Sequence, residues 1–104
     1  PIFVAVLEGM DAKSLRTTMD DLKNKLGSAV ILLAVAGDKI QFCAGVTKDL
    51  TGRIKAGELV NAAAAVAGGK GGGKPDMAMA GAADVAKLAD AMKAARTFIG
   101  EKLA

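Results

Sequence analysis

The sequence predicts an α/β fold: a small mixed sheet covered by helices, in the order β-α-β-β-α-α, with an exposed glycine-rich loop. Three observations carry that prediction. Short β-branched apolar runs alternate with segments whose apolar residues recur at helical spacing. Two of those runs are joined by the tight turn Ala36-Gly37-Asp38, as in a hairpin. Helical spacing later gives way abruptly to "GGKGGGKP" at residues 68–75.

"IFVAVLE" (2–8) is apolar and β-branched and reads as a buried strand. In "DAKSLRTTMDDLKNKLG" (11–27) the period changes, and Leu15, Met19, Leu22 and Leu26 line one face of a helix. Asp11 suits its N-cap and Gly27 the residue beyond its end. "SAVILLAV" (28–35) is a second buried strand. "KIQFCAGV" (39–46) follows as its hairpin partner, with Ile40, Phe42, Ala44 and Val46 inward and a wetter face of Lys39, Gln41, Cys43 and Gly45. After a polar link, "AGELVNAAAAVA" (56–67) predicts a helix that turns Leu59, Ala62, Ala63 and Val66 inward. The last element, 83–103, sets Val85, Leu88, Met92, Ala95, Ile99 and Leu103 at helical spacing.

A chain of 104 residues holds one globular domain, 1–104, and is too short for two ordinary ones. The apolar fraction of 52% argues against disorder. Because Phe3, Phe42 and Phe98 are the only aromatic residues, the core must be aliphatic side chains and close-packed alanine. The chain opens on Pro1, which reads as a processed product or, preferably, as a domain cut from a longer protein. One cysteine, Cys43, and no histidine exclude an internal disulfide and a structural zinc site. They suit a reducing, cytoplasmic setting. No apolar run is long enough to span a bilayer, and no membrane partner is expected.

The net charge of +3 is unevenly spread. Residues 39–74 carry Lys39, Lys48, Arg53, Lys55, Lys70 and Lys74 against Asp49 and Glu58, six basic against two acidic. The excess therefore surrounds the glycine run and favours an anionic partner. Lys48, Arg53 and Lys55 join Lys70 and Lys74 as candidate contacts.

Gly68-Gly69-Lys70-Gly71-Gly72-Gly73-Lys74-Pro75 falls one residue short of the phosphate loop G-x-x-x-x-G-K-[ST]. Pro75 stands where a hydroxyl would hold magnesium, and the run follows a helix instead of a strand. Nucleotide hydrolysis is thereby disfavoured. One glycine would suffice to end the helix, and Gly68 suits that αL position. Five glycines beside two lysines suit a bare backbone that meets phosphates through N–H and ammonium groups, although a plain flexible connector has the same composition. Pro75 stiffens the exit, and the Asp76 carboxylate is expected to accept backbone hydrogen bonds that hold the turn. No catalytic residue is expected. Histidine is absent, Cys43 reads as a small core or interface residue, and the carboxylates scatter over helix surfaces.

"LVNAAAAVAGGKGGGKPDMAMAGA" (59–82) closely resembles the signature of the globular C-terminal domain of alanyl-tRNA synthetases. That domain is related to the accessory domain found beside DHH-type phosphoesterase domains. The resemblance extends over most of residues 28–103. It implies a parent that attaches alanine to tRNA(Ala) with ATP and magnesium in a catalytic domain and edits in a zinc-containing domain, both outside this chain. It also implies that this domain needs no cofactor, contacts the outer corner of the tRNA, and works with those domains in one chain. A helical segment upstream would serve dimerisation.

Carried over by position, Gly68, Gly69, Lys70, Gly71, Gly72 and Gly73 match the family's glycine run, with Gly68, Pro75 and Asp76 as loop support. Lys74 replaces a common arginine, which keeps the charge but loses the bidentate fork. Met79 and Ala82 also depart from the usual pattern, which weakens the case for RNA contact at 79–82. Two alternatives stay open at this point. One is the accessory domain of a DHH-type phosphoesterase or stand-alone editing hydrolase. The other is a protein-association domain acting through its alanine-rich faces.

Overall fold

The computed structural model describes residues 2–7, 9 and 11–103; Glu8, at the end of the first expected strand, lies outside them. The elements are β1 (Ile2–Leu7), α1 (Ala12–Leu26), β2 (Val30–Ala36), β3 (Ile40–Val46), α2 (Ala56–Val66), β4 (Lys70–Gly73), β5 (Met77–Ala82) and α3 (Leu88–Leu103). Short 3₁₀ turns at Lys48–Leu50 and Val85–Lys87 precede α2 and α3. The sheet is mixed, as expected, and runs β1-β2-β3-β5-β4. Among the described residues only β1 and β2 are parallel, from Ile2 beside Val30 to Leu7 beside Val35. The other three pairings are antiparallel.

The alternation of side chains across the strands divides the core in two. Val30, Leu32, Ile40, Phe42 and Val46 face α2 and α3, where they meet Leu59, Ala63, Ala95 and Ile99. Ile31, Leu33, Val35 and Cys43 face α1, beneath Leu15 and Met19. Helix α1 starts and stops as its sequence dictates. The Asp11 side chain accepts from the Ser14 N–H, and Gly27, at φ 74°, donates to the Lys23 carbonyl.

Several expectations need correction. The glycine run is no loop: Lys70–Gly73 is an edge strand, and "MAMAGA" beside it is β5, so the order is β-α-β-β-α-β-β-α. Antiparallel pairing with β5, where Gly71 lies opposite Ala80 and Gly73 opposite Ala78, holds the run extended. The wetter face of β3 is wet only at Gln41 within that strand, because Cys43 and Gly45 lie buried under α1. A Cβ at Gly45 would come within 3.0 Å of Met19 Cγ, so the helix sits directly on the strand. In α2 the buried set is Ala56, Leu59, Val60, Ala63 and Ala64, while Val66 is exposed and Ala62 half-buried. The inward face is therefore rotated by about one residue. Leu26 ends α1 exposed, and β1, expected as a buried strand, is an edge strand that leaves Ile2, Phe3 and Val6 exposed.

Candidate nucleic-acid interface

The hairpin of β4 and β5 is built from local chemistry outward. Helix α2 ends in a Schellman motif. Gly69 N–H reaches back to the Ala64 carbonyl at 2.8 Å and Gly68 N–H to that of Ala65 at 3.4 Å. Gly68 occupies φ +79°, the left-handed conformation that glycine adopts without steric cost. The remaining glycines answer mainly to space. A Cβ at Gly69 would fall 2.6 Å from Ala82 Cα, and one at Gly71 would fall 2.8 Å from Ala80 Cα. At Gly73 it would meet Ala78 Cβ at 2.8 Å. Gly72 differs, with nothing within 4 Å of an added Cβ.

Pro75-Asp76 forms the tip, closed by the Lys74 N–H donating to the Met77 carbonyl at 3.0 Å. Ladder alternation then turns the backbone groups of Gly71 and Gly73 toward the open edge. There the Gly71 N–H meets the Asn61 side-chain oxygen at 3.4 Å. The tip is fastened from three elements. Ala56 N–H of α2 donates to the Pro75 carbonyl at 2.8 Å, and Val46 N–H of β3 donates to the Asp76 carbonyl at 2.9 Å. Lys23 Nζ of α1 donates to that same carbonyl at 3.0 Å and lies 3.9 Å from the Asp76 carboxylate. Asp76 thus holds the turn through its main-chain oxygen, where a carboxylate acceptor was expected. The geometry of a tightly closed tip brings the carbonyl, not the side chain, against β3.

Two grooves flank the strand. One, of about 400 Å³, runs along the α2 side and is lined by Lys55, Gly57, Glu58, Asn61, Lys70, Gly71, Gly72, Gly73 and Pro75. The other, of about 370 Å³, lies on the α1 side between Arg16, Asp20 and Lys23 and the stretch Gly72, Gly73, Lys74, with Met77 and Met79 beside them. Of the expected contacts, Lys55 and Lys70 come together in the first groove, and Lys74 joins the second. Lys48 and Arg53 are exposed on the connector and line neither. Gly69 is half-buried against β5 and contributes closeness of packing.

The connector itself is pinned. The buried Thr47 hydroxyl accepts from the Ala29 N–H at 3.0 Å and donates to the Asp49 carboxylate, which also accepts from the Ser28 hydroxyl. These hydroxyl hydrogen bonds, Ser28 first, hold the Asp49 carboxyl below its ordinary value. Burial pushes the Cys43 thiol up to about 11, so it stays protonated and unreactive in the core. Among the described residues no three His, Cys, Asp or Glu side chains gather to hold a metal, and no catalytic cluster is found. Nor is any helix among them long and apolar enough to cross a membrane.

Sequence reasoning overlooked Arg16, Lys23 and Asn61. The first two did leave a trace, since Arg16, Asp20 and Lys23 recur at i, i+4 and i+7 along one side of α1. Nothing in sequence tells which strand that side overlooks.

Residues 1–101 match the DHHA1 domain. The chain belongs to that family. This DHHA1 domain is similar to the solved C-Ala domain of Aquifex aeolicus alanyl-tRNA synthetase, with a TM-score of 0.80 and 31% identity over 88% of this chain and 84% of that one. Alanine–tRNA ligases of Acidovorax sp. (strain JS42) and Leptothrix cholodnii are each 58% identical over 103 residues. That of Methylobacillus flagellatus is 57% identical over the same length. The match takes in 98% of this chain and 12% of each relative, so the DHHA1 domain spans about an eighth of their length. It corresponds to the C-terminal domain of the bacterial synthetases.

Proposed function

We propose that this chain is the tRNA-binding C-terminal domain of an alanine–tRNA ligase, and that the β4–β5 hairpin meets the sugar–phosphate backbone of tRNA(Ala). The observation that carries the reading is a bare glycine strand, with Lys55 and Lys70 along one flank and Lys74 at its end, in a chain whose curated relatives bear that enzyme's name. Those relatives favour a synthetase parent over a phosphoesterase or a stand-alone editing hydrolase. The domain contributes no chemistry of its own. It grips the body of the tRNA and so raises the effective concentration of the acceptor end at catalytic and editing sites elsewhere in the parent. ATP, magnesium and zinc belong to those sites, and a helical segment upstream serves dimerisation. A protein of this kind works in the cytoplasm.

With so few aromatic residues, base stacking contributes little, and phosphate contacts with shape recognition dominate. The test is a titration of this chain with an alanine tRNA transcript at several salt concentrations, for wild type and for Lys70→Ala/Lys74→Ala. The expected result is binding that weakens with salt, with the slope reduced by about 0.7–0.9 for each phosphate no longer neutralised. Equal affinity and slope for the two proteins would move the RNA surface away from the hairpin.

A further inference from the structure

The α1-side groove has a composition that the glycine signature does not account for. Arg16, Asp20 and Lys23 belong to a segment with no cationic excess, more than forty residues before Gly72 in sequence, yet they share one cavity of about 370 Å³ with Gly72, Gly73 and Lys74. Its cations are not equivalent. Lys23 is committed, its ammonium holding the Asp76 carbonyl at 3.0 Å with the carboxylate 3.9 Å away. Arg16 is exposed and makes no ion pair among the described residues. Lys74 is exposed at the other rim, donates its backbone N–H to the turn, and makes no ion pair among the described residues. Gly72 leaves the wall between them open, since an added side chain there would meet nothing within 4 Å. Met77 and Met79, both half-buried, supply an apolar floor.

We propose that this groove is a second contact with RNA, taking a stretch of sugar–phosphate backbone with its ribose over the methionines and a phosphate between Arg16 and Lys74. The hairpin would then be straddled, with Lys55 and Lys70 holding backbone on one side and the α1 groove on the other. Lys23 positions the hairpin and binds no phosphate. Asp20 works against the contact, as a groove carboxylate that makes no ion pair among the described residues. The proposal rests on the RNA-binding reading and adds a separate face to it, so the two can fail separately.

The opposite signs of Arg16 and Asp20 provide the test. Both are exposed on α1, so Arg16→Ala and Asp20→Asn leave the core intact. Asp90→Asn on α3, across the sheet, makes the same charge change as Asp20→Asn. Each variant, with Lys70→Ala as the reference for the other groove, is titrated with an alanine tRNA transcript across a salt series. Arg16→Ala is expected to lower the salt slope by about 0.7–0.9, the value for one phosphate. Asp20→Asn is expected to tighten binding about 1.4- to fivefold, the range for one exposed charge pair. Asp90→Asn should change neither. If Arg16→Ala and Asp20→Asn match wild type while Lys70→Ala weakens binding, the α1 groove is refuted and the RNA reading stands. If Asp90→Asn tightens binding as much as Asp20→Asn, net charge explains the effect and the groove is again refuted. If wild type shows no salt-dependent binding, both readings fall together.

Discussion

Gly71 and Gly72 are adjacent and have opposite requirements. Gly71 faces Ala80 so closely that a Cβ would fall 2.8 Å from the alanine's Cα, whereas Gly72 faces open space. A sequence shows both as glycine and nothing more. The expected outcome is therefore asymmetric. Gly71→Ala should cost about 1–3 kcal/mol through overpacking, lowering the melting temperature by several degrees for a domain of this size. Gly72→Ala should cost a few tenths of a kcal/mol or less, the range for surface substitutions. Paired thermal melts decide it, and equal losses would place the hairpin in a different register. Other residue-scale features were legible, because their chemistry is local. Asp11 caps α1 and Gly27 ends it as read, whereas the role of Asp76 required knowing that β3 lies under the turn.

The helices and the first three strands were legible as elements from their apolar spacing. Apolar content alone misjudged the burial of β1, whose place at the sheet edge leaves Ile2, Phe3 and Val6 exposed. β4 and β5 were not legible. Glycine is depleted in strands, and "MAMAGA" has little of the β-branched or aromatic content that marks one. Their extended state comes from pairing, with β5 bonded to β3 on one side and β4 on the other. Tertiary neighbours supplied what local preference lacked. The Lys23 contact belongs to this scale, because it ties one helix to the tip of one hairpin. With the lysine side chain 19% exposed, its charged hydrogen bond keeps only part of the usual value for such a bond. Lys23→Met is expected to destabilise the chain by about 1 kcal/mol, or ~4–8 °C in melting temperature. Lys23→Arg should recover part of that loss. Because the ammonium is already committed to Asp76, the salt slope of RNA binding should stay at the wild-type value at temperatures well below the melt. A slope reduced as in Arg16→Ala would make Lys23 a phosphate ligand instead.

Across the whole molecule, charge was half legible. The sequence placed the excess in residues 39–74, and the fold distributes it: Lys55 and Lys70 reach one groove, Lys74 the other, while Lys48 and Arg53 stay on the connector. Arg16 joins only because α1 crosses the sheet on the side of Met77 and Met79, a fact of topology that no local pattern encodes. The same scale decides what the domain contributes to a parent. Helices cover both faces of the central strands, and on the proposed reading the domain's effect on a reaction acts through binding. Alanine activation by ATP involves no tRNA, whereas transfer to tRNA and hydrolysis of mischarged tRNA both require the acceptor end to be delivered. Removing this domain from a full-length alanine–tRNA ligase should therefore leave ATP-dependent activation near its original rate. On the proposed reading the two tRNA-dependent steps should fall, chiefly through a higher tRNA KM, because effective concentration is what the domain would supply. The charge variants should follow the same order within the intact enzyme, with Lys70→Ala/Lys74→Ala raising KM for tRNA and leaving activation alone. Measuring activation, charging and editing separately distinguishes the possibilities. Equal loss of all three would mean that the domain supports the parent's fold, and full retention of all three would remove tRNA positioning from its roles.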